Sequence, residues 1–486
     1  MQDMTVLVER LAYARILCVG DVMLDRFVDG VVDRVSPEAP IPVLRIASET
    51  EMLGGVGNVG RNAASLGAQV TILAAIGDDP AGRRVAALTD ANPQLTATFA
   101  VEPGRQTTVK TRYVSGSHQL LRADSETSAA LSDDGAGRIE AAFDEVLADH
   151  DVVVLSDYAK GVLSERLLRH VIDGARAAGK PVIADPKSPD FARYRGVTLL
   201  TPNQGELAAA SAGACEDEDE IVAAARDWIE RADVGALLVT RGAQGMTLVT
   251  KAGDVIHLAT DAREVFDVSG AGDTVIATLA AALGAGAELA TAARAANLAA
   301  GVVVAKAGTA TVYPGELVHA FHADELRVTD DKICGFQSAL DRVARWRRAG
   351  DQIGFTNGCF DLIHPGHISL LSQARAACDR LVIGLNTDTS VKRLKGEARP
   401  VQDEHARATV LAALGAVDMV VLFGDDTPVK LIEALRPDVL VKGADYTLAQ
   451  VVGGDLVQGY GGRVLLADLA PGHSTSDTIL RLVGDL

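Results

Sequence analysis

A chain of 486 residues exceeds what a single core usually organises, so two or three domains are expected. Hydrophobic residues at 48% and charged residues at 23% exclude extended disorder. A net charge of −19 excludes a long nucleic-acid track, and it means that anionic substrates must be held by local Lys and Arg against an acidic background.

The N-terminus, MQDMTVLVERLAYAR, carries Glu9, Arg10 and Arg15 ahead of the first apolar run, unlike a signal peptide. Residues 275–287 form the most apolar helix candidate and are too few to cross a bilayer. Cys18, Cys215, Cys334, Cys359 and Cys378 are scattered and make no CxxC pair, which points to reduced thiols rather than disulfides or zinc. A cytoplasmic protein without membrane or nucleic-acid partners is expected.

Short apolar runs alternate with helical patterns, the mark of an α/β chain with a largely parallel sheet. Buried strands are expected at 16–20, 71–77, 151–157, 181–186, 198–203 and 236–242. Residues 26–47 and 106–123 instead alternate polar and apolar side chains, as half-exposed antiparallel strands do. They read either as a lid over a ligand, pairing with its copy in a homodimer, or as a plain surface hairpin. After Tyr313 the text turns irregular. A second strand series follows at 352–358, 380–386, 418–423, 438–443 and 463–468. The expected division is 1–327, a linker helix over 328–352, and 353–486.

In the first half, DVSGAGDTV places Gly270, Ala271 and Gly272 where backbone can approach an anion, with Asp273 at a helix start. A carboxylate there suits a general base that takes a proton from a hydroxyl attacking a phosphate. On the motif alone, a helix-capping carboxylate is an equal reading. Gly55, Gly57 and Gly60 spell GxGxxG with Asp78 following, but the polar stretch SETEML precedes them and argues against a dinucleotide site. GARAAGK at 174–180 approaches a P-loop but has Pro181 where Ser or Thr is required. In the second half, TNGCFDLIHPGHISLL brings His364 and His367 to a helix start marked by Pro365. Two imidazoles beside free helix N–H groups suit an α-phosphorus better than zinc, which wants a third ligand. Taken alone, one capping and one buried histidine is the plainer reading.

Together these segments carry two resemblances. Residues 16–310 resemble the ribokinase family of carbohydrate kinases in GGVGNVGRNAASLGA, NQGE, TRGAQG and the run from Asp267 to Asp273, with Ser269 where the family has Thr or another small residue. The resemblance implies a ribokinase-like sandwich with a small β lid. It implies ATP binding through Asn203, Gln204, Gly205, Glu206, Thr240, Gly242, Gly245, Gly270, Ala271, Gly272 and Asn297 (with Ala296 beside it), and Mg²⁺ held by Glu206 through water. Sugar hydroxyls fall to Asp21, Asp25, Gly54, Gly55 and Asn58. Arg112, Gln119, Arg122, Lys160 and Lys187 are candidates for a distal phosphate. Gly57, Gly60 and Arg61 depart from the Ala or apolar residues the family often has. Residues 353–486 are similar to the HxGH nucleotidyltransferases, implying a Rossmann-like domain. His364 and His367 would then act on the α-phosphate, Lys392 or Lys395 on pyrophosphate, Thr356, Asn357 and Phe360 at the nucleotide entrance, and Ser474, Thr475 and Ser476 at the last helix. The whole chain resembles the family of bifunctional heptose-7-phosphate kinase/heptose-1-phosphate adenylyltransferases in GDVMLDRF, RVSPEAPIPV, LSDYAKG, DPKSPDFARYRG and RLKGEARPV. That implies ATP at both sites and sugar phosphates as partners. A kinase fused to a cytidylyltransferase for another sugar or polyol phosphate is the alternative.

Overall fold

Along the strand Arg15–Gly20, Ile16 and Cys18 enter one apolar cluster, and Leu17 and Val19 enter another. A strand buried on both faces has this two-sided pattern, and helices must cover each side. In the computed structural model, which describes residues 4–468 apart from 117, 212, 214, 261–265, 307, 349 and 445, that strand lies inside a nine-stranded sheet. The order is Val255–Leu258, Met246–Thr250, Ala236–Thr240, Leu199–Leu200, Val182–Asp185, Val152–Ser156, Arg15–Gly20, Gln69–Gly77 and Leu95–Glu102. All pairings are parallel except those made by Met246–Thr250. Helices Val56–Ser65, Ala271–Gly284 and Leu289–Val304 cover one face, and Asp133–Val146, Glu165–Ala177 and Glu218–Arg231 the other.

The expected strand at 198–203 shrinks to Leu199–Leu200, because Pro202 lacks the N–H that would continue the ladder. The half-exposed segments form a separate sheet ordered Pro42–Gly55, Val22–Val35, Thr108–Ser115, His118–Ser125. It is not wholly antiparallel: Val22–Val35 pairs in parallel with Thr108–Ser115, Asp25 opposite Lys110. The polar stretch before the glycines is the end of Pro42–Gly55, so a strand does run into them, but it belongs to this projecting sheet. Gly55 has φ 58, and a Cβ there would lie 2.3 Å from the Asp21 carbonyl oxygen, which is why glycine stands at the turn into the helix.

The chain divides into two units, Met1–His322 and Ala323–Leu486. In the second unit a wholly parallel six-stranded sheet runs Ile333–Cys334, Met419–Phe423, Arg380–Asn386, Ile353–Gly358, Val439–Gly443, Arg463–Ala467. The stretch 328–352, expected as a linker, is built into this unit. Ile333–Cys334 is its edge strand, and Ala339 and Val343 of helix Phe336–Arg348 pack with Phe355 and Met419. A two-residue edge strand gives too short an apolar run to register in the sequence.

Candidate active sites

In the first unit the chain order reverses direction across the sheet between Arg15–Gly20 and Val152–Ser156, and ligands of open α/β sheets bind at such carboxyl ends. Asp21 follows the first of these strands. Its carboxylate accepts backbone N–H bonds from Tyr158 (2.9 Å), Lys160 (2.9 Å) and Val162 (3.1 Å) of the loop after the second. Asp21, expected at sugar hydroxyls, fastens that loop.

The loop delivers Tyr158, whose hydroxyl donates to Asp273 Oδ1 at 2.7 Å. From helix Val56–Ser65, Asn58 Nδ2 donates to Asp273 Oδ2 at 2.6 Å. Asp273 is 6% exposed and sits in the first turn of Ala271–Gly284, whose N-cap Gly270 is left-handed at φ 79. Burial pushes its carboxyl up to about 6, against the downward pull of the two hydrogen bonds; Asp25 adds to the rise and Lys110 opposes it. Asp25 is buried, accepts from Arg112 Nη1 at 2.7 Å, and stands where a Cβ on Gly54 would approach its Oδ2 to 2.4 Å. Sequence reasoning missed Tyr158 and Lys110. Lys110 lies over the Tyr158 ring, 5.3 Å from its centroid, and makes no ion pair among the described residues. Burial lowers its pKa.

Other expected sugar-side cations are already engaged. Arg112 is tied to Asp25, Arg122 to Asp124 and Lys160 to Glu126. Lys187 is not with them: its Nζ lies 3.2 Å from Glu206 Oε1, on the other side of Gly272, in a cavity of about 210 Å³ with Asp185, Asn203 and Thr240. Glu206 and Asn203 bond reciprocally, each side chain accepting the other's backbone N–H. No group of three His, Cys, Asp or Glu forms a direct metal cage among the described residues. Glu206 and the half-buried Asp185 do present hard oxygen donors beside the helix start, a set that fits Mg²⁺ held chiefly through water and phosphate oxygens.

An adjoining cavity of about 260 Å³ is walled by Thr240, Gly242, Gly245, Ala271, Gly272 and Asn297 together with Met246, Val268, Val275 and Val304. These apolar walls, invisible as a motif, suit the flat face of a base. Gln204 and Gly205 do not line it. Gln204 holds the Cys215 carbonyl, and Ala296 is in the core beneath.

In the second unit, His364 caps helix Pro365–Ala376 and His367 follows in its first turn. Their rings stack with centroids 3.9 Å apart, and Phe360, at φ 43, packs against His367. Burial, then His364 and Lys395, drives His367 down to about 4, so its ring is neutral at physiological pH. The cavity here is about 600 Å³ and includes Thr356, Asn357, Phe360, Asn386, Lys395, Arg399 and Lys442. Lys395, at the end of helix Asp388–Lys395, lines it and Lys392, a turn earlier, does not. Arg399, held by Asp361, and Lys442, which donates to the Asn357 carbonyl at 2.9 Å, were not foreseen. Ser474, Thr475 and Ser476 lie outside the described residues.

Two sites of this build define a sugar kinase joined to a nucleotidyltransferase. The chain matches the pfkB family carbohydrate kinases over residues 14–315 and the cytidylyltransferase-like family over residues 355–467. The bifunctional protein HldE of Paramagnetospirillum magneticum is 53% identical over 100% of both chains, and that of Caulobacter sp. (strain K31) is 57% identical over 96% of both. The chain belongs to this bifunctional HldE family. The fold of the first unit also matches Escherichia coli phosphofructokinase-2 in complex with fructose-6-phosphate (TM-score 0.54, 20% identity, 64% of this chain and 99% of that one) and Arabidopsis thaliana ribokinase (TM-score 0.51, 20% identity, 63% and 98%).

Proposed function

We propose that the chain makes an activated sugar in two separate steps, with ATP as substrate of both. The first moves the γ-phosphoryl group of ATP to the anomeric hydroxyl of heptose 7-phosphate. The second joins the adenylyl group of another ATP to heptose 1-phosphate, giving ADP-heptose and pyrophosphate for the lipopolysaccharide core. The 7-phosphate must be removed by another enzyme between the two steps. The observation that carries this reading is the pairing of a buried carboxylate at one helix start with two stacked imidazoles at another.

In the kinase, Asp273 takes the hydroxyl proton as the sugar oxygen attacks the γ-phosphorus, and ADP leaves. Asn58 and Tyr158 hold the base in place, and the helix start at Gly272 meets the charge that develops on the phosphoryl oxygens. Glu206, with Asp185 beside it, would hold Mg²⁺ through water, and the ion would supply charge that neutralises the phosphates. Asp25, Gly54, Gly55 and Asn58 form the sugar side, and Lys110 with Arg112 faces the distal phosphate. In the transferase, the sugar phosphate oxygen attacks the α-phosphorus of ATP. His364 and the neutral His367 donate hydrogen bonds to the transition state, and Lys395, Arg399 and Lys442 meet the triphosphate charge.

Val35, Ile46 and Leu121 leave exposed apolar side chains on one face of the projecting sheet, and a second copy of the chain covering them makes the enzyme a homodimer. Free cysteines fit a reducing compartment, and the enzyme acts in the cytoplasm. No helix among the described residues is long and apolar enough to cross a membrane.

Mass spectrometry of products from purified protein, ATP, Mg²⁺ and heptose 7-phosphate, with and without a phosphatase, tests the reading. A bisphosphate alone, then ADP-heptose once phosphatase is added, is expected. A preference for CTP over ATP with heptose 1-phosphate would overturn the second step.

A further inference from the structure

Helix Val56–Ser65 carries an arginine at a position facing inward. Arg61 Nη2 donates to Asn58 Oδ1 at 2.8 Å and to the Thr309 carbonyl, and Nη1 lies 3.5 Å from Met52 Sδ. Asn62 adds a second donor to Asn58 Oδ1 at 3.3 Å, and Asn62 is itself fixed by Thr274, whose hydroxyl donates to Asn62 Oδ1 at 2.8 Å. Asn58, Asn62 and Thr274 are all buried.

A carboxamide has one accepting and one donating end, and inside a protein it can rotate to exchange them. With Arg61 and Asn62 both donating to the oxygen, only the NH₂ end remains for Asp273, at 2.6 Å. Turned the other way, the amide would set its oxygen against the carboxylate. We infer that Arg61 is a positioning residue for phosphoryl transfer: it locks the Asn58 amide so that its NH₂ group always faces Asp273. The inference rests on Asp273 being the general base of the proposed kinase step. It concerns one of the departures from the family pattern, since an apolar residue at position 61 could not make these bonds.

The groups facing Asp273 come from every element around it: Asn58 and Arg61 from the helix, Asp25 and Lys110 from the projecting sheet, Tyr158 from the loop after Val152–Ser156, and Asp185 from the end of Val182–Asp185. Asp25 and Asp185 disfavour the ionised base, whereas Asn58, Tyr158, Lys110 and Arg61 favour it. Loss of Arg61 removes a cation and frees the amide to turn, and both changes push the carboxyl up. A base is competent only when ionised, so the acid limb of the kinase rate must move to higher pH.

The test is kcat for ATP-dependent phosphorylation of heptose 7-phosphate by full-length Arg61→Met, over roughly pH 5–9. The acid limb should rise by about one unit, the size of one hydrogen bond lost to a charged group. Adenylylation of heptose 1-phosphate by the same preparation should be unchanged and reports an intact chain. In an Asn58→Ala background, Arg61→Met should produce a smaller shift, since only the loss of the cation remains to act on Asp273. An unmoved limb, an equal loss at every pH, or an undiminished shift in the Asn58→Ala background would each overturn the inference. Should Arg61→Met fail to fold, Arg61→Lys, which keeps the charge but not the fork, must show an intermediate shift, and an unmoved limb there overturns it equally. Asp273→Asn separates the two levels. Activity surviving that change sinks the base assignment itself, whereas its loss together with an unmoved Arg61→Met profile sinks only the role of Arg61.

Discussion

The Tyr158 hydroxyl and the Asp273 carboxylate are joined by a 2.7 Å hydrogen bond across residues 115 apart in the chain. Burial and the neighbouring carboxylates raise the phenol's pKa, and the bond steadies the ionised carboxylate. Tyr158→Phe should therefore lower kinase kcat and raise its acid limb, read from a pH series at saturating ATP. An unchanged limb would show that the tyrosine serves packing alone.

The two activities should separate cleanly by substitution. Asp273→Asn is expected to reduce bisphosphate formation by about 10²–10⁴-fold while adenylylation of supplied heptose 1-phosphate continues. His367→Ala should do the reverse. Both are measured by product chromatography on one preparation, and a folded variant that loses both activities would contradict two independent sites.

Acidity should separate them as well. A base held near 6 protonates as pH falls through that value, so phosphorylation declines there. His367, pushed down to about 4, stays neutral until more acid conditions. Assayed at about pH 5, the chain should adenylylate well and phosphorylate poorly. Parallel decline of both rates would be inconsistent with these environments.

Lysines 110 and 187 should fail differently. Lys110→Met is expected to raise KM for heptose 7-phosphate about tenfold or more, since a charge-assisted contact to phosphate is lost, with KM for ATP unchanged. Lys187→Met, beside Glu206, should alter the ATP and Mg²⁺ dependence instead. Initial-rate kinetics with each substrate varied in turn decide this.

Arg407 is 1% exposed and donates to the Cys359 carbonyl, the Gln402 carbonyl and Asp388. Arg407→Met leaves three acceptors without their donor and should cost about 3 kcal/mol of stability in the second unit. A lowered thermal transition, with adenylylation lost and phosphorylation kept, is the expected result.

How much of this could be read from sequence follows from where each residue's information lies. Asp273, His364 and His367 sit inside contiguous motifs that also specify a helix start, so local spacing revealed both residue and context. Strands such as Val152–Ser156 are unbroken apolar runs and were equally plain. Tyr158, Lys110, Arg399 and Lys442 have no such signature, because each reaches its site from a separate element and only tertiary packing brings it there. Tyr158 did have one available clue: it lies just past the carboxyl end of a central strand, where α/β sheets hold their ligands. Asp21 carries a contact that its motif did not announce: three backbone N–H groups of the loop 158–162 bond to its carboxylate. The parallel pairing in the projecting sheet was hidden because alternation reports which face is buried and not which way a neighbour runs.

The strand Val22–Val35 begins two residues after the central strand ends, and Pro42–Gly55 passes into helix Val56–Ser65 with nothing between. Asp25, Gly54 and Asn58 thus stand at the root of one stiff ribbon. A tilt of the ribbon's far end would therefore displace these three residues together, as a lever moves everything fixed at its pivot.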